Sequence, residues 1–309
     1  MSEDLAIYQK APVQASNDSQ VIEMWLHDRP VNTQKAYRQH IGKFFAYCDP
    51  LHKEHRGLRQ VTLGLLQGFQ DLLKVGGLRD KSIQCHMSTV KSLFTFAQRI
   101  GYIQFNPAAV IKLRKPKDTL AQRLLDRATV IKMIDSEKNP RNRALMRLLY
   151  VSGIRSSEAV NLKACDLLKH ETGGQITVTA KGGKTLAVWI DQTTWEMVQA
   201  LIPIYQIEGK NELPNVDWYS ATAPIFQTSS NRPLHLNHVL KIVRAAAKRV
   251  GINKPVSPHW LRHATATHLM DAGVSLVAIK EHLGHESIST TTRYTHVKPS
   301  AANAKLLAW

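Results

Sequence analysis

Five short stretches of this chain hold side chains suited to chemistry on a phosphate. The first, Gly153-Ile154-Arg155-Ser156-Ser157-Glu158, begins a helix after a glycine break. Arg155 can aim its planar fork of donors at a phosphate, and Glu158, three residues on, can hold that guanidinium in place. In Lys181-Gly182-Gly183-Lys184 the glycine pair suits a tight hairpin, so Lys181 stands at a tip from which an ammonium can reach into a polyanion. His259-Trp260-Leu261-Arg262-His263 puts His259 and Arg262 one helical turn apart on a common face. His285 follows Gly284 at a helix end, and Tyr294 stands nine residues later, after Thr290, Thr291 and Thr292. Taken singly, each has an ordinary explanation: a solvated arginine, a structural histidine, a packed tyrosine.

The elements that must position these groups are legible from periodicity. Apolar residues recur at helical spacing in Thr33–Cys48 (Tyr37, Ile41, Phe44, Phe45, Cys48), in Leu63–Leu73 (Leu66, Phe69, Leu73) and in Lys81–Ile100 (Ile83, Met87, Val90, Phe94, Ala97). With a short helix around Val21–Leu26, they predict a compact four-helix domain. Lys112-Leu113-Arg114-Lys115-Pro116-Lys117 interrupts the pattern and reads as an exposed basic linker, able to lie along phosphates. Beyond it, helices are expected over Arg127–Ser136, Arg141–Ser152, His238–Val250, Pro258–Ala272 and Leu276–Leu283, and strands over Gln175–Ala180 and Thr185–Ile190. Residues 209–224, without periodicity and holding Pro214 and Pro224, read as a surface loop. The fold class is therefore mostly α with a small β-sheet. The expected division is a flexible 1–18, a helical domain over 19–111, a basic linker over 112–122 and a second domain over 123–309.

Composition narrows the partner. The 309 residues carry 41 Lys and Arg against 24 Asp and Glu, a formal charge of +17. Such a surplus repels itself unless a polyanion is near, so nucleic acid leads. Both halves share it: residues 1–115 hold 16 basic and 9 acidic side chains, and residues 116–309 hold 25 and 15. The charge is not gathered on one amphipathic helix, which argues against a membrane surface. Cys48, Cys85 and Cys165 are far apart and odd in number, so neither a disulfide framework nor a cysteine zinc site is expected. The polar first twenty residues do not read as a signal peptide, and no stretch approaches the ~18 apolar residues of a spanning helix. A reducing, cytoplasmic setting is expected. His259, His263, His268, His282, His285 and His296 crowd together in sequence, but no His-Glu-x-x-His occurs, and no metal is expected. His263 and His268 are expected to be buried and hydrogen-bonded.

The ordered set resembles the tyrosine recombinases, or phage integrase family, and is most similar to the Xer-type members. Gly-Ile-Arg155-Ser-Ser-Glu158, the hairpin Lys181, His259-x-x-Arg262-His263, Leu283-Gly284-His285 and Thr-x-x-Tyr294-x-His296 carry the likeness. The resemblance implies that Arg155, Lys181, His259, Arg262, His285 and the nucleophile Tyr294 are the catalytic set, with Glu158 supporting the first arginine. Ala180 departs from the pattern, since related hairpins often have glycine before the lysine. The implied fold is an N-terminal four-helix core-binding domain and a C-terminal catalytic domain, closing as a C-shaped clamp on DNA. Cleavage through a 3′-phosphotyrosine and a Holliday junction is implied, with no cofactor, metal or ATP. The implied partner is a double-stranded DNA recombination site, two of which are bridged by a homotetramer; whether a second recombinase joins is open. Ala304-Lys305-Leu306-Leu307-Ala308-Trp309 resembles the tail that docks on a neighbouring subunit in this family; docking on its own subunit is the alternative. Base or phosphate contacts are expected from Lys81, Gln84 and Lys91 on the fourth helix and from Lys112, Arg114, Lys115 and Lys117 in the linker. A non-enzymatic DNA-binding regulator would explain the charge but not all six positions. A type IB topoisomerase would share the chemistry, but the short chain, the Xer-like spacing and the tail argue against it.

Overall fold

The computed structural model describes residues 14–51, 57–113, 120–179, 183–202, 222–230 and 232–284. The chain divides into two compact units, Met1–Lys117 and Asp118–Trp309.

In the first unit four helices form around aromatic residues. Helix α1 (Asp18–Leu26) starts on Asn17, whose side chain accepts from the Gln20 amide. Helix α2 (Val31–Leu51) is followed by α3 (Leu63–Val75), capped by Thr62, and by α4 (Asp80–Arg99). Phe44 of α2 meets Phe69 of α3 and Phe94 of α4 edge-on, with ring centroids 5.2 and 6.2 Å apart. The five apolar positions expected on α4 are all buried. Order begins earlier than the expected flexible 1–18, for a polar reason: the Asp18 carboxylate accepts from the Leu58 amide at 2.8 Å and from the Tyr102 hydroxyl at 2.6 Å, and Ala15 is buried beside α1.

The second unit wraps helices around a small antiparallel sheet. Helices α5 (Arg127–Asp135), α6 (Pro140–Ser152) and the short α7 (Ser156–Val160) precede β1 (Leu167–His170), β2 (Gly173–Thr179) and β3 (Thr185–Ile190), in the order β1-β2-β3. Then come α8 (Gln192–Gln199), α9 (Leu236–Arg249), α10 (Pro258–Asp271) and α11 (Leu276–Leu283). Ile176 and Val178 of β2 and Val188 and Ile190 of β3 turn into the core, while Leu186 is half-buried. β2 and β3 pair from Gly174↔Ile190 to Thr179↔Thr185, and the last position of the strand expected over Gln175–Ala180 lies outside the described residues, as do 181 and 182. The sequence pattern did not reveal β1, whose four residues are too few to show alternation, or α8, which is only eight residues long and starts on an Asp191 cap. Leu120 is buried with Ala266, Ile279 and Leu283, so this folded unit reaches back into the segment expected to be linker. The 209–224 loop lies outside the described residues up to 221. Among the described residues, no helix is long and apolar enough to cross a membrane.

Candidate active site

Three of the six expected catalytic residues are described, and all three come from the second unit. Arg155 owes its place to Gly153. Helix α6 ends there with φ +62°, in the left-handed region that glycine tolerates best. A Cβ on Gly153 would also stand 2.4 Å from Leu283 Cδ2, so the close approach of α11 demands glycine as well. The chain then leaves extended, and Arg155 becomes the residue before α7. Glu158, only 8% exposed, grips it twice: Oε2 accepts from the Arg155 amide at 2.6 Å and Oε1 accepts from Nη1 at 2.7 Å. A carboxylate this dry is stabilised only by such donors, so the pair locks the guanidinium's direction. The Arg155 side chain itself keeps about a third of its surface open, at 31%.

Arg262 is the opposite case. It lies on α10, which opens with Pro258 at its first position, and it is 5% exposed. Its Nη1 donates to the Gly153 carbonyl at 2.5 Å and its Nη2 to the Leu283 carbonyl at 2.6 Å. Both carbonyls sit at helix C-termini, where the backbone leaves acceptors unpaired and the dipole is negative. Arg262 thus joins the end of α6 to the end of α11, which also terminates on a left-handed glycine, Gly284 with φ +61°.

His259 stands one turn before Arg262. Solvent reaches its side chain, yet its pKa lies below the usual histidine value. Loss of hydration where protein crowds the ring is the largest cause, followed by the charges of Arg262 and Arg155. At neutral pH the imidazole is therefore unprotonated and able to accept a proton.

Lys181, His285 and Tyr294 lie outside the described residues, as do Arg114, Lys115 and Lys117. The strand that follows Lys181 nevertheless touches this corner: a Cβ on Gly284 would meet Leu186 Cδ2 at 2.7 Å. In the first unit Lys81 and Lys112 are exposed and Gln84 is half-buried. Lys91 has a role within its own domain that its expected DNA contact did not include, for its ammonium donates to the carbonyls of Ala109 and Ile111 at 3.1 and 2.5 Å. His263 and His268, expected to be buried, are half-buried; His268 Nδ1 shares a hydrogen bond with the Tyr150 hydroxyl at 3.0 Å. Two residues that sequence reasoning did not assign belong to the same corner. Thr265 donates its hydroxyl to the Tyr150 carbonyl at 2.5 Å, and His282 Nε2 meets the Val151 carbonyl at 3.3 Å. Thr265 follows Arg262 by three positions on one helix, a spacing that could have flagged it. Among the described residues, no group of three or more His, Cys, Asp or Glu could hold a metal ion.

Residues 121–301 match the model of the phage integrase family, and residues 27–101 match that of the phage integrase N-terminal SAM-like domain. This chain belongs to the phage integrase family. It is similar to a tyrosine recombinase XerD of Oceanobacillus iheyensis, 31% identical over 280 residues that cover 89% of this chain and 90% of the relative. A tyrosine recombinase XerC of Thermodesulfovibrio yellowstonii is 32% identical over 272 residues, 86% of each chain. In fold, the chain is similar to the XerH site-specific recombinase bound to palindromic difH substrate in a post-cleavage complex, with TM-score 0.70, 21% identity and coverage of 96% of this chain and 86% of that one. A lambda integrase (75-356) dimer bound to a COC' core site gives TM-score 0.70 at 18% identity, covering 92% and 95%. The fold is that of this family of tyrosine recombinases, an N-terminal SAM-like core-binding domain followed by a catalytic integrase domain. As a member, the protein is a site-specific tyrosine recombinase that cleaves and rejoins DNA.

Proposed function

We propose that strand cleavage runs through a covalent bond between Tyr294 and DNA, with Arg155, Lys181, His259, Arg262 and His285 as its catalytic partners and Glu158 as the support of Arg155. The observation that carries this reading is that Arg262, one helical turn after His259, holds the Gly153 carbonyl at 2.5 Å, two residues before Arg155. A tyrosine hydroxyl, with a reference pKa of ~10, needs a base at neutral pH. His259 takes its proton as Tyr294 Oη attacks the phosphorus. The bond to the 5′ oxygen breaks, and Lys181 protonates that leaving oxygen. Charge that builds on the non-bridging oxygens is met by Arg155 and Arg262 and by a hydrogen bond from His285. The 3′-phosphotyrosine keeps the energy of the broken bond, so a second 5′ hydroxyl can reverse the steps without ATP. Two fixed guanidinium groups take the charge-neutralising role that a metal ion fills in other phosphoryl transfers.

We further infer that the protein works in the cytoplasm on a double-stranded recombination site. The two DNA-bound neighbours, on a difH substrate and on a COC' core site, support that partner. Two sites are joined by a homotetramer that exchanges strands through a Holliday junction, with the 304–309 tail docked on a neighbour. Lys81 and Gln84 on α4, the one ammonium donor of Lys91 that Ala109 and Ile111 leave, and Lys112, Arg114, Lys115 and Lys117 in the linker make the contacts to bases and phosphates.

The test is a nicked duplex that traps the cleaved state, carrying a site selected by the protein from a random DNA pool. The wild-type protein is expected to give a covalent protein–DNA band on a denaturing gel. Tyr294→Phe is expected to bind the same duplex and give none. A band that persists in Tyr294→Phe would overturn the nucleophile assignment.

A further inference from the structure

The last turn of α6 is held by more side chains than the catalytic set accounts for. Its closing carbonyls have acquired donors from two other helices: Tyr150 O from Thr265, Val151 O from His282 and Gly153 O from Arg262. Helix α11 contributes on both sides of this arrangement, since Leu283 O accepts from Arg262 while His282, the residue before it, reaches Val151. We propose that His282 is a positioning residue for strand cleavage, pinning the end of α11 to the end of α6 through its hydrogen bond to the Val151 carbonyl. The inference rests on the catalytic reading above.

Arg262 alone leaves α11 tied to α6 through one guanidinium, about which the helix end can still turn. The His282 bond is a second tie two residues away on α6, and two ties suppress that rotation. Packing closes the same joint, because Leu283 lies against Gly153 and is buried with Leu120, Ala266 and Ile279. The joint sets two starting points at once. Arg155 leaves α6 two residues after Gly153, and the chain that carries His285 and Tyr294 leaves α11 at Gly284. An error at this joint is therefore an error in the distance between Arg155 and the end of α11, from which that chain sets out.

The bond defines the ring's chemistry. A carbonyl accepts only, so Nε2 carries the proton. The His282 pKa lies below the usual value, chiefly because the ring is partly dehydrated; the Val151 bond pulls the other way and the Arg262 charge adds to the lowering. At neutral pH the ring is thus a neutral donor, and a neutral amide can replace it. Glutamine places an N–H donor at nearly the same reach, and leucine fills similar space with none.

The experiment compares His282→Gln and His282→Leu in the full chain, on the nicked duplex described above. Noncovalent affinity, single-turnover cleavage rate and melting temperature are measured for each. His282→Leu is expected to keep its affinity within about two-fold while the cleavage rate falls roughly ten-fold or more, the scale set by small misplacements in an active site. His282→Gln is expected to recover most of that rate. Cleavage by His282→Leu at the wild-type rate would overturn the proposal. So would an equal loss in both variants, or a loss that merely follows a lower melting temperature or weaker binding. Tyr294→Phe run alongside separates the two readings: a surviving covalent band there removes the nucleophile assignment, while the rates of the His282 pair still report on the joint.

Discussion

Each unit of this recombinase buries a basic side chain where helices meet, and the two solve the problem differently. At the junction of α6, α10 and α11, Arg262 is 5% exposed and cannot shed its proton, so the fold supplies two helix-end carbonyls. Between α2 and α4, His86 is 6% exposed against His40, with ring centroids 4.1 Å apart, and its Nδ1 has no hydrogen-bond partner. His86 survives there by remaining neutral: burial, then His40 and Lys43, push its pKa down to about 4. His40, also lowered, bonds the Thr89 hydroxyl at 2.9 Å. A charge that is kept must be paired, and a charge that can be surrendered is surrendered. The first solution provides a rigid joint at the reaction centre. The second is expected to make the N-terminal unit sensitive to acid.

The largest effect should come from breaking the first solution. Arg262→Ala strands the carbonyls of Gly153 and Leu283, and two lost charge-assisted bonds put the cost at roughly 3–5 kcal/mol. Differential melting of the full chain should show it in the C-terminal unit, and covalent complex formation should drop by ~100-fold or more. A stable, active Arg262→Ala would mean that the joint does not depend on this guanidinium.

Acid tests the second solution. Because the His86 pKa is depressed from 6.5 to about 4, its contribution is fully present above pH ~6.5 and is lost as pH falls toward 4. A shift of that size corresponds to about 3 kcal/mol. His86→Leu, which cannot titrate, should flatten this part of the fall in melting temperature between pH 7 and 4. If the wild type and His86→Leu lose stability in parallel over that range, the buried neutral histidine is not the acid-sensitive group.

The smallest effect sharpens the comparison by leaving Arg262 in place and disturbing only its acceptor. Gly153→Ala must hold φ near +62° and push Leu283 away from its 2.4 Å approach, at about 1–3 kcal/mol. Urea denaturation should show the lower stability, and single-turnover cleavage should slow with it. An unchanged midpoint would show that α11 can give way without cost.

The described part of the candidate site could be read from sequence because its residues pair locally. Arg155 with Glu158, and His259 with Arg262, are each separated by three positions, and that spacing brings a helix cap to the third residue of its helix, and two residues of one helix onto one face, whatever the rest of the chain does. The apolar periods of α2, α3 and α4 were equally readable, since long amphipathic helices declare their buried face. The edge strand β1 and the short α8 did not, because four and eight residues are too few to establish a period. His282 and Thr265 were passed over for another reason: their partners, Val151 and Tyr150, lie more than a hundred residues away in sequence. Lys91 looked like one more surface cation on α4, and nothing in its own helix shows that two carbonyls beyond Phe105 claim its ammonium.

Residue types and their spacing thus determined the family, through the order of motifs from Gly153 to His296, and the two-part organisation and helical faces, through periodicity within each segment. Tertiary structure alone decided which carbonyls Arg262 would hold, that Gly153 must make room for Leu283, and that His282 would join the same corner as Arg155. Those are long-range contacts between helix ends. They exist only once α6, α10 and α11 have packed, because unpaired carbonyls at a helix terminus take whichever donors the fold brings to them.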